Sequence, residues 1–215
     1  MTKRLEVICS YLGKGEILAD VGCDHGLVAE YALKNDLFEK VVISDISSKS
    51  LNKAQKLLEN YGDRVISIVC DGFLGYGDVI PTVSVIAGMG GEEITSILKN
   101  APKLSNKLVL APQKNSEKVR SFLVENGYNI CCDYTIKDGK FYDVIVAKKG
   151  VSNYTELEIL FGKGNLENKG SDFLEKIKKE REFYLNLLNS NQLNEENFSL
   201  VREKLNVICE VLNER

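Results

Sequence analysis

The sequence predicts a doubly wound α/β domain, its parallel strands finished by an antiparallel hairpin, followed by a C-terminal α-helical hairpin. Three observations predict this. Short apolar runs alternate with helical patterns through the first 150 residues. Two long strand-like runs then meet at one turn, and beyond residue 171 the period is purely helical. Alternation of the first kind marks a parallel sheet covered on both faces. The expected domains are therefore 1–150, an α/β ligand-binding domain, and 151–215, a helical hairpin with coiled-coil character.

The elements follow in chain order. MTKRLEVICSYL carries Glu6 inside its apolar pattern, so it reads as an amphipathic helix and not as a signal peptide. Strand-like runs are ILADVG (17–22), VVISDI (41–46), VISIVC (65–70), VSVIAG (83–88) and KLVLAP (107–112). Helical stretches lie between them at 26–35, 49–60, 91–100 and 116–126. NICCDYTIKDGKFYDVIVAKK (129–149) reads as two strands around Asp138-Gly139, a dipeptide suited to a tight hairpin turn. In the last segment Phe198, Val201, Leu205, Ile208 and Leu212 recur at steps of 3 and 4, an a/d seam over two heptads. Leu174, Ile177, Tyr184 and Leu188 form its looser counterpart, with Asp172 as the expected N-cap and 190–196 as a polar turn.

Composition excludes several classes. The 215 residues are 44% hydrophobic and 27% charged, an ordinary globular balance. No apolar run is long enough to span a membrane. The six cysteines include no C-x-x-C pair and there is one histidine, so neither a disulfide framework nor a zinc site is expected. Reduced thiols point to the cytoplasm. The net charge of −3 argues against indiscriminate nucleic-acid binding but allows a local basic face.

In a doubly wound sheet the ligand lies beyond the C-terminal strand ends. After the first strand stands Asp20-Val21-Gly22-Cys23-Asp24-His25-Gly26. A dinucleotide fold would carry G-x-G-x-x-G there, to bring backbone close to a pyrophosphate. Carboxylates at 20 and 24 repel phosphate and suit an ammonium and hydroxyls. S-adenosylmethionine (SAM) offers both and has no phosphate. Asp45, beside Ile46, ends the second strand where a carboxylate can accept ribose hydroxyls. Asp71-Gly72 ends the third, where an Asp can accept from an adenine amine. Gly88-Met89-Gly90 ends the fourth and presents nearly bare backbone. The terminal hairpin fits the same expectation, because SAM methyltransferases of this class end their sheet with an antiparallel strand.

These residues resemble those of the bacterial tRNA (adenine-N1)-methyltransferases acting at tRNA position 22. The resemblance rests on Asp20-Val21-Gly22-x-Asp24-His25, on Ala87-Gly88-Met89-Gly90-Gly91 and on Gly139-Lys140-x-Tyr142. It extends through Arg4-Leu5, Asp71-Gly72, Arg120, Phe161-Gly162 and the terminal helices. The family usually carries Gln-Pro-Asn after the fifth strand, where this chain has Ala111-Pro112-Gln113. The resemblance implies a class I SAM-methyltransferase sheet, SAM as cofactor, tRNA as substrate and Asp24 as a catalytic carboxylate.

The residues bear on the acceptor atom too. Enzymes that methylate exocyclic amines of nucleobases commonly hold the amine with N/D-P-P-Y/F after the fourth strand; here Ala87-Gly88-Met89-Gly90 offers no side-chain acceptor. A ring nitrogen already has its lone pair in the base plane. Positive charge builds on the ring during transfer, and a fixed carboxylate would stabilise it. Asp24 suits that role or the capping of the following helix. His25 either lines the pocket or sits solvated in the first helical turn. Tyr142 either stacks on a base or packs in the core. Positive charge for RNA is expected from Arg4, Lys114 and Arg120, with the helical hairpin as a second grip on the RNA. A monomer is expected, with a dimer through the terminal helices as the alternative. The competing functions are a small-molecule methyltransferase and a non-catalytic SAM- or RNA-binding protein.

Overall fold

The computed structural model describes residues 1–190 and 193–213. The first unit, Met1–Lys163, contains α1 (Lys3–Ser10), β1 (Gly15–Val21), α2 (Leu27–Lys34), β2 (Phe38–Asp45), α3 (Ser48–Leu58), β3 (Val65–Val69), β4 (Val83–Ala87), α4 (Gly91–Asn100), β5 (Lys107–Ala111), α5 (Ser116–Glu125), β6 (Tyr128–Asp138), β7 (Lys140–Lys149) and α6 (Glu156–Phe161). The seven strands form one sheet in the order β3-β2-β1-β4-β5-β7-β6. The first five are parallel, and β7 pairs antiparallel with both β5 and β6. Chain order therefore reverses direction at β1 and β4, the place where such sheets open a crevice.

Alternation along each strand explains the two layers. Leu18, Val41, Val85, Val109 and Val144 pack on one face with α1, α2 and α3. Their neighbours Ala19, Val42, Ile86, Leu110 and Ile145 pack on the other with α4 and α5. Both faces are buried, so these strands read as continuous apolar runs and not as alternating ones. Each fully buried Val, Leu or Ile contributes about 1.5–3 kcal/mol of transfer free energy.

The hairpin is tied to the helices by a buried ion cluster. Arg120 of α5 is fully buried. Its Nε and one terminal nitrogen donate to Asp133 of β6 at 2.8 and 3.0 Å, and that second nitrogen also reaches Asp143 of β7 at 3.1 Å. The other terminal nitrogen donates to the carbonyls of Ile159 and Leu160, both at 3.2 Å. Burial works against the guanidinium's charge, but the two carboxylates hold its pKa above the usual arginine range. Burial likewise raises the Asp133 carboxyl, and Arg120 opposes that rise. The expected role of Arg120 in binding RNA is corrected here: no part of its side chain reaches solvent. The same cluster holds α6 against α5, so the first unit runs past residue 150 to Lys163.

The second unit, Gly164–Arg215, contains most of α7 (Lys163–Asn168), together with α8 (Ser171–Asn189) and α9 (Glu195–Leu212). Among its described residues the buried apolar side chains are Phe173 and Ile177 of α8 and Leu205, Ile208 and Val211 of α9. The expected two-heptad seam is thus shorter than its spacing suggested. Phe198 is 41% exposed, and Val211 takes the buried place expected for Leu212. A contact this short follows the straight-helix period of 3.6 and need not keep a 3.5-residue repeat. Gly170, not Asp172, is the N-cap of α8; Asp172 lies in the first turn, where its charge favours the helix dipole. Residues 191–192 of the expected polar turn lie outside the described residues.

Replacing Arg120 by Met should destabilise the first unit by about 3–5 kcal/mol, because two buried carboxylates lose their counter-charge. Urea unfolding of the two proteins measures this, and a difference below about 1 kcal/mol would show that the cluster relaxes into water.

Candidate active site

The C-terminal ends of β1 and β4 border a cleft of about 310 Å³. Arg4 and Leu5 of α1, Asp20, the segment Gly22–His25, Leu27 and Val28 of α2, and Ala87, Gly88 and Met89 line it. Asp20, Gly22, Asp24, His25, Gly88, Met89 and Arg4 are thus brought together as expected from sequence. Asp45, Ile46, Asp71 and Gly72 lie along the neighbouring ends of β2 and β3, outside this cleft.

Asp20 is 5% exposed. Its Oδ2 accepts from the backbone N–H of Ala29 at 3.2 Å, so it satisfies the N-terminus of α2 from the end of β1. Burial pushes its pKa up to about 7; the charge of Asp45 adds to the rise and the Ala29 N–H opposes it. Asp24 differs in every respect. Its backbone is left-handed, at φ 46°, and its N–H donates to Asp45 Oδ2 at 3.3 Å. Its side chain is 66% exposed and lies 3.7 Å from His25 Nε2. The N-cap of α2 is Gly26, with no side-chain hydrogen bond, so Asp24 does not cap that helix. His25 precedes the cap and is not in the first helical turn.

The glycines in this region make close approaches. A Cβ on Gly22 (φ 67°) would lie 2.1 Å from Met89 Cε, so the thioether packs directly on bare backbone. Beyond Met89 the loop between β4 and α4 runs alongside the loop between β5 and α5. Gly88 N donates to Ala111 O at 3.3 Å, Gln113 N to Met89 O at 3.0 Å and Gly91 N to Lys114 O at 2.7 Å. A Cβ on Gly91 would meet Asn115 O at 2.0 Å, so no other residue permits this zipper.

Asp45 Oδ1 accepts from Ser47 N at 2.8 Å, which fixes the carboxylate and leaves lone pairs on both oxygens. Ile46 beside it is 76% exposed, a large apolar side chain at the strand ends. Asp71 is exposed, two residues beyond the end of β3.

Cys23 lines the cleft, but burial and the nearby Asp20 raise its thiol pKa well above the usual thiol range, and burial pushes that of Cys9 up to about 12. Neither thiol is poised as a nucleophile. Among the described residues, no three His, Cys, Asp or Glu side chains are placed to hold a metal ion, and no helix is long and apolar enough to cross a membrane.

Tyr142 is corrected as a stacking residue. Its ring is only 8% exposed, packs in the core, and has the Arg4 guanidinium 4.7 Å from its centroid. Arg4 stays at the cleft, its backbone N–H donating to Asp138 Oδ2 at 3.0 Å across from the hairpin turn. Lys114 is exposed beside Gly90. Leu5, Cys23 and Ala87 stood inside the sequence motifs without being named as site residues, and Leu27 and Val28, which carry no polar chemistry, enter the cleft only through the fold.

Comparison with known proteins now bears on the site. Residues 1–145 match a family model described as a methyltransferase domain. A Mycoplasma genitalium protein provisionally named a tRNA methyltransferase is 32% identical over 155 residues, 69% of this chain and 70% of that protein. The Bacillus subtilis tRNA (adenine(22)-N(1))-methyltransferase is 31% identical over 160 residues, 70% of this chain and 66% of that protein. The structure of M. capricolum TrmK with S-adenosyl-homocysteine superposes with a TM-score of 0.92 over 99% of this chain and 98% of that one, at 24% identity, a likeness of fold.

The buried Asp20 carboxyl gives a pH dependence of known sign. Its folded-state pKa lies above the unfolded value, so its contribution to stability is full below about pH 4 and is lost as pH rises through about 7. Between about pH 5 and pH 8.5 the wild type should lose roughly 1–3 kcal/mol relative to Asp20→Asn. Parallel urea-unfolding profiles would show that Asp20 does not titrate in that window.

Proposed function

The chain belongs to the methyltransferase-domain family, and we propose that it transfers a methyl group from SAM to N1 of adenine 22 in tRNA. The observation that carries this reading is the pairing, at one cleft, of a buried carboxylate at Asp20 with an exposed one at Asp24 that has no capping duty. The residues fit SAM. Gly22, with Met89 packed on its backbone, lines the cleft, and the strand-end carboxylates match an ammonium and ribose hydroxyls where phosphate would be repelled. Asp20, Gly22, Asp24, Asp45, Ile46, Asp71, Gly72, Gly88, Met89 and Gly90 would hold it. When bound, SAM supplies a methyl group whose carbon–sulfur bonding electrons return to sulfur as the N1 lone pair takes the carbon.

The chain's own groups do the rest. Asp24 faces the cleft as a carboxylate and stabilises the positive charge that develops on the ring. His25, beside it, shares that rim and steadies the Asp24 side chain. Ala87–Gly90 presents backbone and a thioether but no side-chain amine acceptor, which suits a ring nitrogen. Arg4 and Lys114 supply positive charge at the mouth for the RNA backbone. The helical hairpin, with Lys178, Arg202 and Lys204 exposed, gives tRNA a second contact in this reading. The protein works as a cytoplasmic monomer in this reading.

Incubation with labelled SAM and unmodified tRNA, followed by nucleoside analysis, should yield 1-methyladenosine; label in any other nucleoside, or none, would overturn the reading. Asp24→Asn should keep most of the SAM affinity, since the other strand-end residues remain, while single-turnover methylation falls roughly 100-fold. Asp45→Ala should weaken SAM binding by about 1.5–3 kcal/mol, the worth of a hydrogen bond to a charged acceptor. Calorimetry showing wild-type affinity in that variant would remove Asp45 from the SAM site.

A further inference from the structure

Gln113 stands at the junction of the two zipped loops and was not among the residues expected to touch a ligand. Its side-chain Nε2 donates to Gly88 O at 2.7 Å, and Gly88 lines the cleft. That bond settles which way the amide faces. Only the nitrogen can donate to a carbonyl, so the amide cannot turn over without losing the bond. Its oxygen, Oε1, makes no hydrogen bond to protein among the described residues. The backbone beneath is fixed too, since Gln113 N donates to Met89 O at 3.0 Å and Asp143 N to Pro112 O at 3.1 Å. The result is a hydrogen-bond acceptor whose orientation that exposed bond favours, carried on a loop bonded to the wall of the cleft.

An adenine that presents N1 to a methyl donor carries its N6 amine on the adjacent ring carbon. We propose that Gln113 reads that amine, its Oε1 accepting from N6–H while its nitrogen stays on Gly88. This deepens the adenine-N1 reading above and rests on it. Two consequences follow from the chemistry. Guanine carries a carbonyl at the same position, so an acceptor oriented this way repels it, whereas a freely turning amide would accommodate either base. Methylation at N1 also spreads positive charge onto N6, so the bond to Oε1 strengthens as the reaction proceeds and supports catalysis as well as selection. Asp24 and Gln113 would then divide the work, one answering the charge on the ring and the other the identity of the base.

A chemical double-mutant cycle tests this. Wild type and Gln113→Met, similar in volume but lacking the amide, are compared on tRNA carrying adenosine at the target and on the same tRNA carrying purine riboside, which lacks the amine. On adenosine tRNA the variant should lose roughly 30-fold in single-turnover rate. On purine tRNA the two proteins should agree within about twofold, because the partner group is already gone. Equal loss on both substrates overturns the proposal and makes Gln113 a brace for the glycine loop; SAM affinity measured alongside would then fall as well. Wild-type protein that makes no 1-methyladenosine in adenosine tRNA would instead bring down the underlying reading, an outcome distinct from loss of coupling.

Discussion

The buried Arg120 guanidinium is the constraint from which the rest of the first unit is organised. It is a single cation set between Asp133 and Asp143, which lie on adjacent antiparallel strands, and its remaining donors reach the carbonyls of α6. Charges this deep are tolerated only when every donor and lone pair finds a partner. The register of β6 against β7 is therefore fixed by electrostatics as well as by the tight turn at Gly139. Asp143 carries the constraint onward through its backbone N–H to Pro112, next to the loop that braces the glycine segment after β4. On its other side Tyr142 supports Arg4 at the cleft. A cluster with no access to substrate thus sets the position of groups that have it.

Within the cleft, two carboxylates four residues apart are separated in role by environment alone. Asp20 closes β1, where the sheet and α2 exclude water, and its one backbone donor does not offset that burial. Asp24 comes after the strand has ended, on a left-handed residue that turns its side chain outward. The first can answer a fixed positive charge on a bound ligand. The second can meet charge that appears only as the reaction proceeds. Gly22 between them keeps the backbone low enough for Met89 to lie against it.

Much of the fold was legible because the strands and helices of the first unit obey one local rule each. All five parallel strands and the four intervening helices fall where periodicity put them, and Asp138-Gly139 turns the hairpin as expected. Legibility failed where a long-range partner decides. Arg120 reads as a surface cation on an amphipathic helix, and only the folded hairpin shows the two aspartates that bury it. For Tyr142 the sequence left a stacking and a core reading open, and the core one holds, with Arg4 over its face from another element. The helical seam was overextended because spacing reports which side chains share a face, not how far a partner helix follows it. Gln113 stood out in the sequence only as part of an altered family motif, because its bond to Gly88 is made to a different loop.

The geometry also explains how a site with so few polar side chains can still be selective. A ring nitrogen brings its own nucleophile, so the protein need not supply a base or a thiolate, and the cysteines near the cleft are held in their inert form. What remains is to exclude competing atoms and bases, which is a problem of placement more than of reactivity. Placement is what the zipped loops provide. The carbonyls of Ala111, Met89 and Lys114 are each taken by a backbone donor, and that of Gly88 by the Gln113 amide, so this part of the wall is stiff. Beside that stiff wall the Asp24 carboxylate stays exposed, 3.7 Å from His25 Nε2, so in the proposed reaction placement comes from the backbone and the response to charge from the rim.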